Sequence, residues 1–321
     1  MRYREIGRSG LRVSAVGLGS WLTYGGTVGE ATARQCIAHA YDRGVTFFDT
    51  ANVYARGRAE TVMGRALSAY PRESYVIATK VYFPMGPGHD DRGLSRKHVW
   101  EQCHESLRRL GVETIDLYQC HRFDDETPLE ETCAVMNDLV AGGKIRHWGV
   151  SEWSAGEIRA VVELCQEAGC PPPISNQPEY NALQRRIEDD VLPMTKALGL
   201  GNVVWSPIAQ GVLTGKYGSH GEAPAGSRAA SEAGGFMGRY LDEDVLEAVE
   251  AFRRIADDAG LTPAQLAVAW CLRRPEVSSA IVGATATSHV EENVAAAELD
   301  PGADVFAAVD QALGSVQVEG V

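Results

Sequence analysis

The sequence predicts a closed barrel of eight parallel β-strands wrapped by helices, a (β/α)8 or TIM barrel, with a β-hairpin at its N-terminus. Three observations predict it. Eight short β-rich runs alternate with helical stretches along 321 residues, an order that suits a ring of parallel strands inside a ring of helices. Some runs, such as Val76-Ile77-Ala78, are apolar without alternation, as strands buried on both faces are. The competing doubly wound sheet asks for a Gly-x-Gly-x-x-Gly turn after its first strand, and Gly17-Leu18-Gly19-Ser20-Trp21-Leu22 lacks the third glycine.

The elements follow in order. Residues 1–12 read as a hairpin turning around Gly7 to Gly10, and the β-rich runs are then Val13–Leu18, Val45–Phe48, Tyr75–Thr79 and Ile115–Cys120. Thr127-Pro128-Leu129-Glu130 offers an N-cap, a first-turn proline and an acid, and Leu129, Cys133, Met136 and Val140 then recur at helical spacing. After the run Ile145–Val150, Ser154-Ala155-Gly156-Glu157 reads as a capping box, with Ile158, Val161, Val162 and Cys165 on one face. Pro173–Asn176, Val203–Trp205 and Ser278–Val282 complete the eight runs. The stretch 215–238 is rich in Gly, Ala and Ser and reads as a cofactor clamp or lid. No sharp linker divides the chain, and barrels of this length form one unit, so residues 1–321 read as one domain.

Composition narrows the function. Hydrophobic residues make up 45% and charged residues 23% of the chain, and no apolar run approaches the roughly 20 residues of a membrane span. The N-terminus has no apolar signal core, which leaves a cytoplasmic location as the default. A net charge of -13 and the lack of a basic block disfavour nucleic acid. Seven cysteines, at positions 36, 103, 120, 133, 165, 170 and 271, include no Cys-x-x-Cys pair and read as reduced, buried thiols. His98 and His104 stand six apart on different faces of a helical stretch, and no ligand spacing suggests a metal. The expected partner is a small carbonyl compound; membrane insertion is not expected, and a homo-oligomer is compatible with the sequence.

In a β/α barrel, chemistry gathers where the strands end. Asp49 ends the second run and Tyr54 follows it, Lys80 ends the third, and His121 ends the fourth. Singly, Asp49 could cap a loop, Tyr54 could pack and Lys80 could reach solvent; their occurrence at consecutive strand ends points to one site. Tyrosine is a weak acid with a pKa near 10, and a neighbouring lysine, kept charged by an aspartate, is expected to lower it. Tyr54 is then the general acid, and His121 donates to a carbonyl oxygen. Cys120 and His121 do not form a nucleophile pair, because neighbouring strand residues point to opposite faces. Ser151, Asn176, Gln177, Trp205 and Ser206 at later strand ends suit a cofactor, with amides and hydroxyls for a carboxamide and an indole for a ring. Gly211-Val-Leu-Thr-Gly215-Lys216 is one residue short of a P-loop and reads instead, with Arg228, as a pyrophosphate or adenylate clamp.

With those residues in view, the chain resembles the aldo-keto reductases. The likeness is carried by Gly44-Val-Thr-Phe-Phe-Asp49-Thr-Ala-Asn-Val-Tyr54 followed by Glu60 and Gly64, by Asn176-Gln177-Pro-Glu-Tyr-Asn181, by Trp205-Ser206-Pro207-Ile208 and by Gly283-Ala-Thr285 with Glu292-Asn293. It covers roughly Arg2 to Asp300. Tyr3 to Val13, Gly17-Leu-Gly19-Ser20-Trp21 and Ser151-Glu-Trp-Ser154 are most similar to the potassium-channel β-subunit branch and its bacterial relatives.

The resemblance implies a catalytic tetrad of Asp49, Tyr54, Lys80 and His121 and NADP(H) as cofactor. It implies that Ser151, Asn176 and Gln177 hold the carboxamide and Trp205 stacks on the nicotinamide, with Gly19, Ser20, Trp21 and Asp49 also at the cofactor. It further gives Ser206, Pro207, Ile208, Gly211 and Lys216 to the phosphates, Arg228 to the 2′-phosphate, and Gly283, Thr285, His289, Glu292 and Asn293 to the adenosine end. His289 and Thr285 stand where relatives often carry glutamine and serine. Trp21, Tyr82, Phe83 and Arg122, with Tyr54 and His121, would line the substrate opening. Channel β-subunits carry asparagine where this chain has His121, which favours an NADPH-dependent reductase of aldehydes and ketones over the alternative, an NADP(H)-binding, redox-sensing ancillary subunit.

Overall fold

A computed structural model of the protein describes residues 1–217, 234, 235, 237–316 and 318. Among these, strands β1 (Tyr3–Glu5) and β2 (Arg12–Ser14) form an antiparallel hairpin. Eight parallel strands then close a barrel: β3 (Val16–Gly19), β4 (Phe47–Asp49), β5 (Val76–Val81), β6 (Ile115–Cys120), β7 (Ile145–Val150), β8 (Ser175–Asn176), β9 (Gly201–Trp205) and β10 (Val277–Gly283), with β10 pairing β3 to complete the ring. The predicted (β/α)8 fold and hairpin are both present.

The helices α1 (Glu30–Asp42), α2 (Arg58–Leu67), α3 (Arg96–Leu110), α4 (Leu129–Ala141), α5 (Ala155–Ala168) and α6 (Val191–Leu198) alternate with β3 to β9. Two helices, α7 (Glu243–Asp258) and α8 (Pro263–Leu272), separate β9 from β10, and α9 (Thr287–Ala295) and α10 (Ala303–Leu313) follow it. The capping box of α5 is formed as expected, with Ser154 and Glu157 exchanging bonds and Ile158, Val161, Val162 and Cys165 buried. The start of α4 differs: Pro128 takes the N-cap position, and the Thr127 hydroxyl donates to Asp124 at 2.7 Å instead of capping the helix. Its buried face also includes Thr132, Val135 and Leu139, while Leu129 and Val140 are only partly buried.

The run Val13–Leu18 is two elements rather than one. Ser14 marks the break: its hydroxyl donates to the Val16 carbonyl at 2.7 Å and accepts from the amides of Thr46 and Phe47, so the chain leaves the hairpin and enters the barrel there. Inside the barrel, a plug of Phe47, Ala78, Leu117, Val203 and Ile281 packs on Ile6 and Val13 of the hairpin region. Gly17 and Gly19 admit this plug; a Cβ on either would lie 2.6 Å from Phe47 or Ile281. A second, larger core fills the layer between strands and helices. No helix among the described residues is long and apolar enough to cross a membrane.

Candidate active site at the barrel mouth

Strand side chains alternate with period two, so the residue two steps beyond each plug residue faces the barrel interior at its C-terminal end. Phe47 leads to Asp49, Ala78 to Lys80, Leu117 to Gln119 and then His121, and Val203 to Trp205. The change from apolar plug to polar mouth therefore takes one pleat on each of these strands, and it places Asp49, Lys80 and His121 together. All three are buried.

Tyr54 arrives on the loop after β4, and that loop is strained. Ala55, Arg56 and Gly57 have φ of 47°, 53° and 84°, and left-handed non-glycine residues cost about 1–3 kcal/mol each unless surroundings hold them. The holding group is buried Glu60 on α2, which accepts from Thr79 of β5 at 2.6 Å and from Arg109 of α3 at 2.5 Å. Arg109 packs against Gly57, where a Cβ would lie 2.6 Å from its Cδ. Gly64 lets α2 and α3 approach, since a Cβ there would lie 2.2 Å from the Leu110 carbonyl oxygen.

At the centre, Lys80 Nζ donates to Asp49 Oδ2 at 2.6 Å and to the Thr50 carbonyl at 2.8 Å. Asp49 Oδ1 accepts from Gln177 Nε2 at 2.9 Å. Lys80 Nζ lies 5.1 Å from the centre of the Tyr54 ring, and the Tyr54 and His121 rings are 5.7 Å apart. The expectation that Lys80 lowers the Tyr54 pKa is not met: burial first, then Asp49, pushes the phenol well above its ordinary value, with Arg122 acting the other way. A lone charge about 5 Å off would be worth about 3 kcal/mol at an effective dielectric of ~20, but Asp49 beside Lys80 opposes its field. Lys80 itself is lowered by burial, with Asp49 partly offsetting this. His121 is held well below its usual range by burial and by the Lys80 and Arg122 charges, and its Nδ1 has no protein partner. The imidazole is therefore neutral, and the phenol protonated, at neutral pH.

The other side of the mouth carries most of the residues the sequence gave to a cofactor. Ser151 donates to the Gln177 carbonyl at 2.8 Å, so these two share the interior with Asp49. Asn176 does not join them. It pairs in register with Val150 and Asn202, and Val150 belongs to the helix-facing core while Asn202 donates to Thr195 of α6; side chains of registered neighbours share a face, which puts Asn176 on the helix side. Half-buried Trp205 meets Trp21 edge to face at 5.6 Å. Ser20 donates to the Thr50 hydroxyl at 2.8 Å, beside Gly19 at the end of β3.

After β9 the backbone is unusual. Ser206, Ala209, Gln210 and Gly211 all have positive φ, and Ile208 sits at φ -101°, ψ 21° directly before Ala209 at φ 47°. Such a succession can gather backbone N–H groups around an anion, although the amides of Ala209 and Gly211 already donate to the Ser206 and Ile208 carbonyls at 2.9 Å. Lys216 Nζ lies 3.0 Å from where a Gly211 Cβ would be, and the Ser206 hydroxyl is buried without a partner. A turn of this kind, which includes Pro207 and offers the Lys216 ammonium and the Ser206 hydroxyl, suits a pyrophosphate. Beyond β10, Gly283, Thr285 and His289 are exposed, Glu292 is half-buried, and buried Asn293 leaves its Oδ1 unpaired. Thr285 and His289 contact each other at 3.2 Å. Arg228 and most of the 215–238 clamp fall outside the described residues.

Of the predicted substrate residues, Phe83 and Arg122 join the site. The Phe83 ring is 4.9 Å from His121, and the Arg122 guanidinium is 5.4 Å from Phe83. Tyr82 packs edge to face on Phe83 and borders a second cavity of about 300 Å³ shared with Arg92, Asp124 and Glu126.

The model of the Aldo/keto reductase family matches residues 15–313. The chain belongs to that family. Two similar relatives are each described as a "Probable voltage-gated potassium channel subunit beta", one from Arabidopsis thaliana and one from Oryza sativa subsp. japonica. Each is 43% identical over 305 residues, which is 94% of this chain and 92% of the relative.

Within this aldo/keto reductase, two supports had escaped sequence reasoning. Glu152, at φ 59°, accepts from the Trp205 indole at 2.7 Å and pairs with Arg186, fixing the indole edge. Its sequence signals are its place beside Ser151 and within the Ser151–Ser154 likeness, and neither assigns it a role, because a left-handed residue breaks the strand period that would have oriented it. The Glu60–Arg109 pair is the other; Glu60 stood within the family signature, but its partner 49 positions away carried no mark.

Proposed function

We propose that the protein is an NADPH-dependent reductase of aldehydes and ketones. The observation that carries this is the convergence of Asp49, Tyr54, Lys80 and His121 at one mouth, with Lys80 2.6 Å from Asp49 and Tyr54 beside both Lys80 and His121. When bound, NADPH supplies the hydride. Tyr54, protonated at neutral pH, gives its proton to the carbonyl oxygen and regains one from solvent after the reaction. Neutral His121 donates an N–H to the same oxygen and orients it. Lys80 faces the phenolate that Tyr54 becomes, and Asp49 and the Thr50 carbonyl keep the ammonium in place. Ser151 and Gln177 would hold the carboxamide, Trp205 the ring, and the 206–211 backbone with Lys216 the phosphates.

The test is loss of NADPH absorbance with a panel of small aldehydes, for wild type beside Tyr54→Phe. Turnover in the variant falls by roughly 10²–10⁴-fold, with cofactor binding retained as read by quenching of tryptophan fluorescence. Full activity in Tyr54→Phe would sink the mechanism. A second reading rests on the channel-subunit description of the relatives: a redox-sensing subunit that holds NADP(H) and reports to a partner. Tight cofactor binding with negligible wild-type turnover across the panel would select it.

A further inference from the structure

We propose that Arg122 binds an anionic group on the carbonyl substrate, so that the preferred substrates carry a carboxylate or phosphate within a few bonds of the reacting carbonyl; this rests on the reductase reading above. Arg122 directly follows His121 at the end of β6. One of its Nη atoms donates to the His121 carbonyl at 2.7 Å, and its guanidinium lies over Phe83. Phe83 in turn meets His121, so guanidinium, phenyl and imidazole form one continuous wall beside Tyr54.

Among the described residues, no carboxylate lies within ion-pair distance of Arg122; its contacts are that backbone carbonyl and the Phe83 ring. Several other cations near the mouth are matched: Lys80 with Asp49, Arg92 with Glu126, Arg186 with Glu152 and Arg239 with Glu179. Acids outnumber bases 43 to 30 in this chain, which makes a half-buried arginine without an acid a departure from its surroundings. Nearby Asp124 is otherwise engaged, accepting from the amides of Leu94 and Glu126 and from the Thr127 hydroxyl.

A guanidinium offers five N–H donors in a plane, and the backbone carbonyl takes one direction. No Arg122 nitrogen is among the buried atoms without a partner, so the donors that the backbone carbonyl does not use are open to solvent. A planar fork of this kind matches the two oxygens of a carboxylate or phosphate. The charge also bears on the reacting groups, since it pulls the pKa of Tyr54, Lys80 and His121 downward. An anion seated on Arg122 would place its carbonyl toward Tyr54 and His121, which share the same wall.

The experiment compares pairs that differ in charge: 4-carboxybenzaldehyde with methyl 4-formylbenzoate, and glycolaldehyde phosphate with glycolaldehyde. Wild type, Arg122→Gln and Arg122→Lys are assayed, and binding of unreactive 4-carboxybenzyl alcohol to the cofactor-loaded protein is measured by calorimetry. Wild type is expected to favour the charged member of at least one pair, and the pair favoured tells carboxylate from phosphate. In Arg122→Gln that preference falls roughly 10- to 100-fold, chiefly through KM, and Arg122→Lys recovers part of it. No preference in wild type, or an equal loss on both members of each pair, overturns the proposal. If wild type reduces nothing, the reductase reading has failed, and the calorimetry decides separately: binding weakened in Arg122→Gln supports the anion site, and equal binding overturns it.

Discussion

Asp49→Asn keeps the shape of the side chain and removes the carboxylate that holds Lys80. The amide can still accept from Gln177, but it then turns its NH₂ toward the Lys80 ammonium, donor against donor. Leaving one member of a buried ion pair alone costs about 3–5 kcal/mol. The protein can escape by releasing the Lys80 proton, and neutralising an ordinary lysine at pH 7 costs about 4.6 kcal/mol, at about 1.4 kcal/mol per pH unit. Both routes place the loss near 4 kcal/mol at neutral pH. They part as pH rises. With Lys80 neutral in the folded variant and charged in the unfolded chain, the unfolded state binds more protons, so stability climbs with pH until the ordinary lysine pKa is reached. Wild-type Lys80, also lowered by burial but supported by Asp49, begins this climb later. Denaturant unfolding should therefore show the gap between variant and wild type narrowing by up to about 2 kcal/mol from about pH 7 to about pH 8.5. A gap below about 1 kcal/mol at neutral pH would refute the buried-pair reasoning, and a constant gap would show that Lys80 stays charged.

Two further outcomes follow from the same geometry. Gly64→Ala should destabilise by about 1–3 kcal/mol although alanine favours helices over glycine by up to about 1 kcal/mol, because the new Cβ meets backbone at 2.2 Å; equal stability by denaturant titration would show that α2 and α3 separate freely. The kcat/KM profile should be flat from about pH 6 to about pH 9, since His121 titrates below that window and Tyr54 above it. A limb near an ordinary histidine pKa would contradict the neutral imidazole.

The barrel was legible because its strands carry their fold in local pattern. Val76-Ile77-Ala78 is apolar where two faces must be buried, Ile115–Cys120 is mostly so with Asp116 and Gln119 as its polar members, and Ser154 with Glu157 writes a helix start within four residues. Strand-end reasoning found Asp49, Lys80 and His121 for the same reason: one pleat beyond an apolar plug, or two on β6, is a positional rule. What escaped depends on contacts between distant positions or on broken periods. The turn at Ser14 is set by backbone groups 32 and 33 residues on. Asn176 stood next to Gln177 in sequence, but successive strand residues face opposite ways, and the alternation that excluded a Cys120–His121 pair also separates these two. The acidity of Tyr54 was misjudged because sequence supplies the charges but not the burial of the phenol, the larger cause, or the nearness of Asp49 that opposes Lys80.

The two functional readings differ in what they demand of the inner ring. Holding a dinucleotide calls on the outer parts of the mouth: the Trp205 indole steadied by Glu152, the Ser151–Gln177 pair and the loop from Ser206 to Gly211 under Lys216. Of these, Gln177 touches the inner ring through Asp49, but none calls directly on a lysine with no solvent exposure, whose burial costs several kcal/mol before its partner is counted. Nor do they need Tyr54 presented on three successive left-handed residues, each of the two non-glycine ones costing about 1–3 kcal/mol, with a second buried pair, Glu60–Arg109, to hold them there. Proton donation to a substrate oxygen uses every one of these features: a protonated phenol fixed in position, a cation to face its conjugate base, and a neutral imidazole 5.7 Å away between centroids to hold the same oxygen. The reductase reading gives the stability given up in the inner ring a use that cofactor binding does not require, which is why turnover, rather than cofactor affinity, is the decisive measurement.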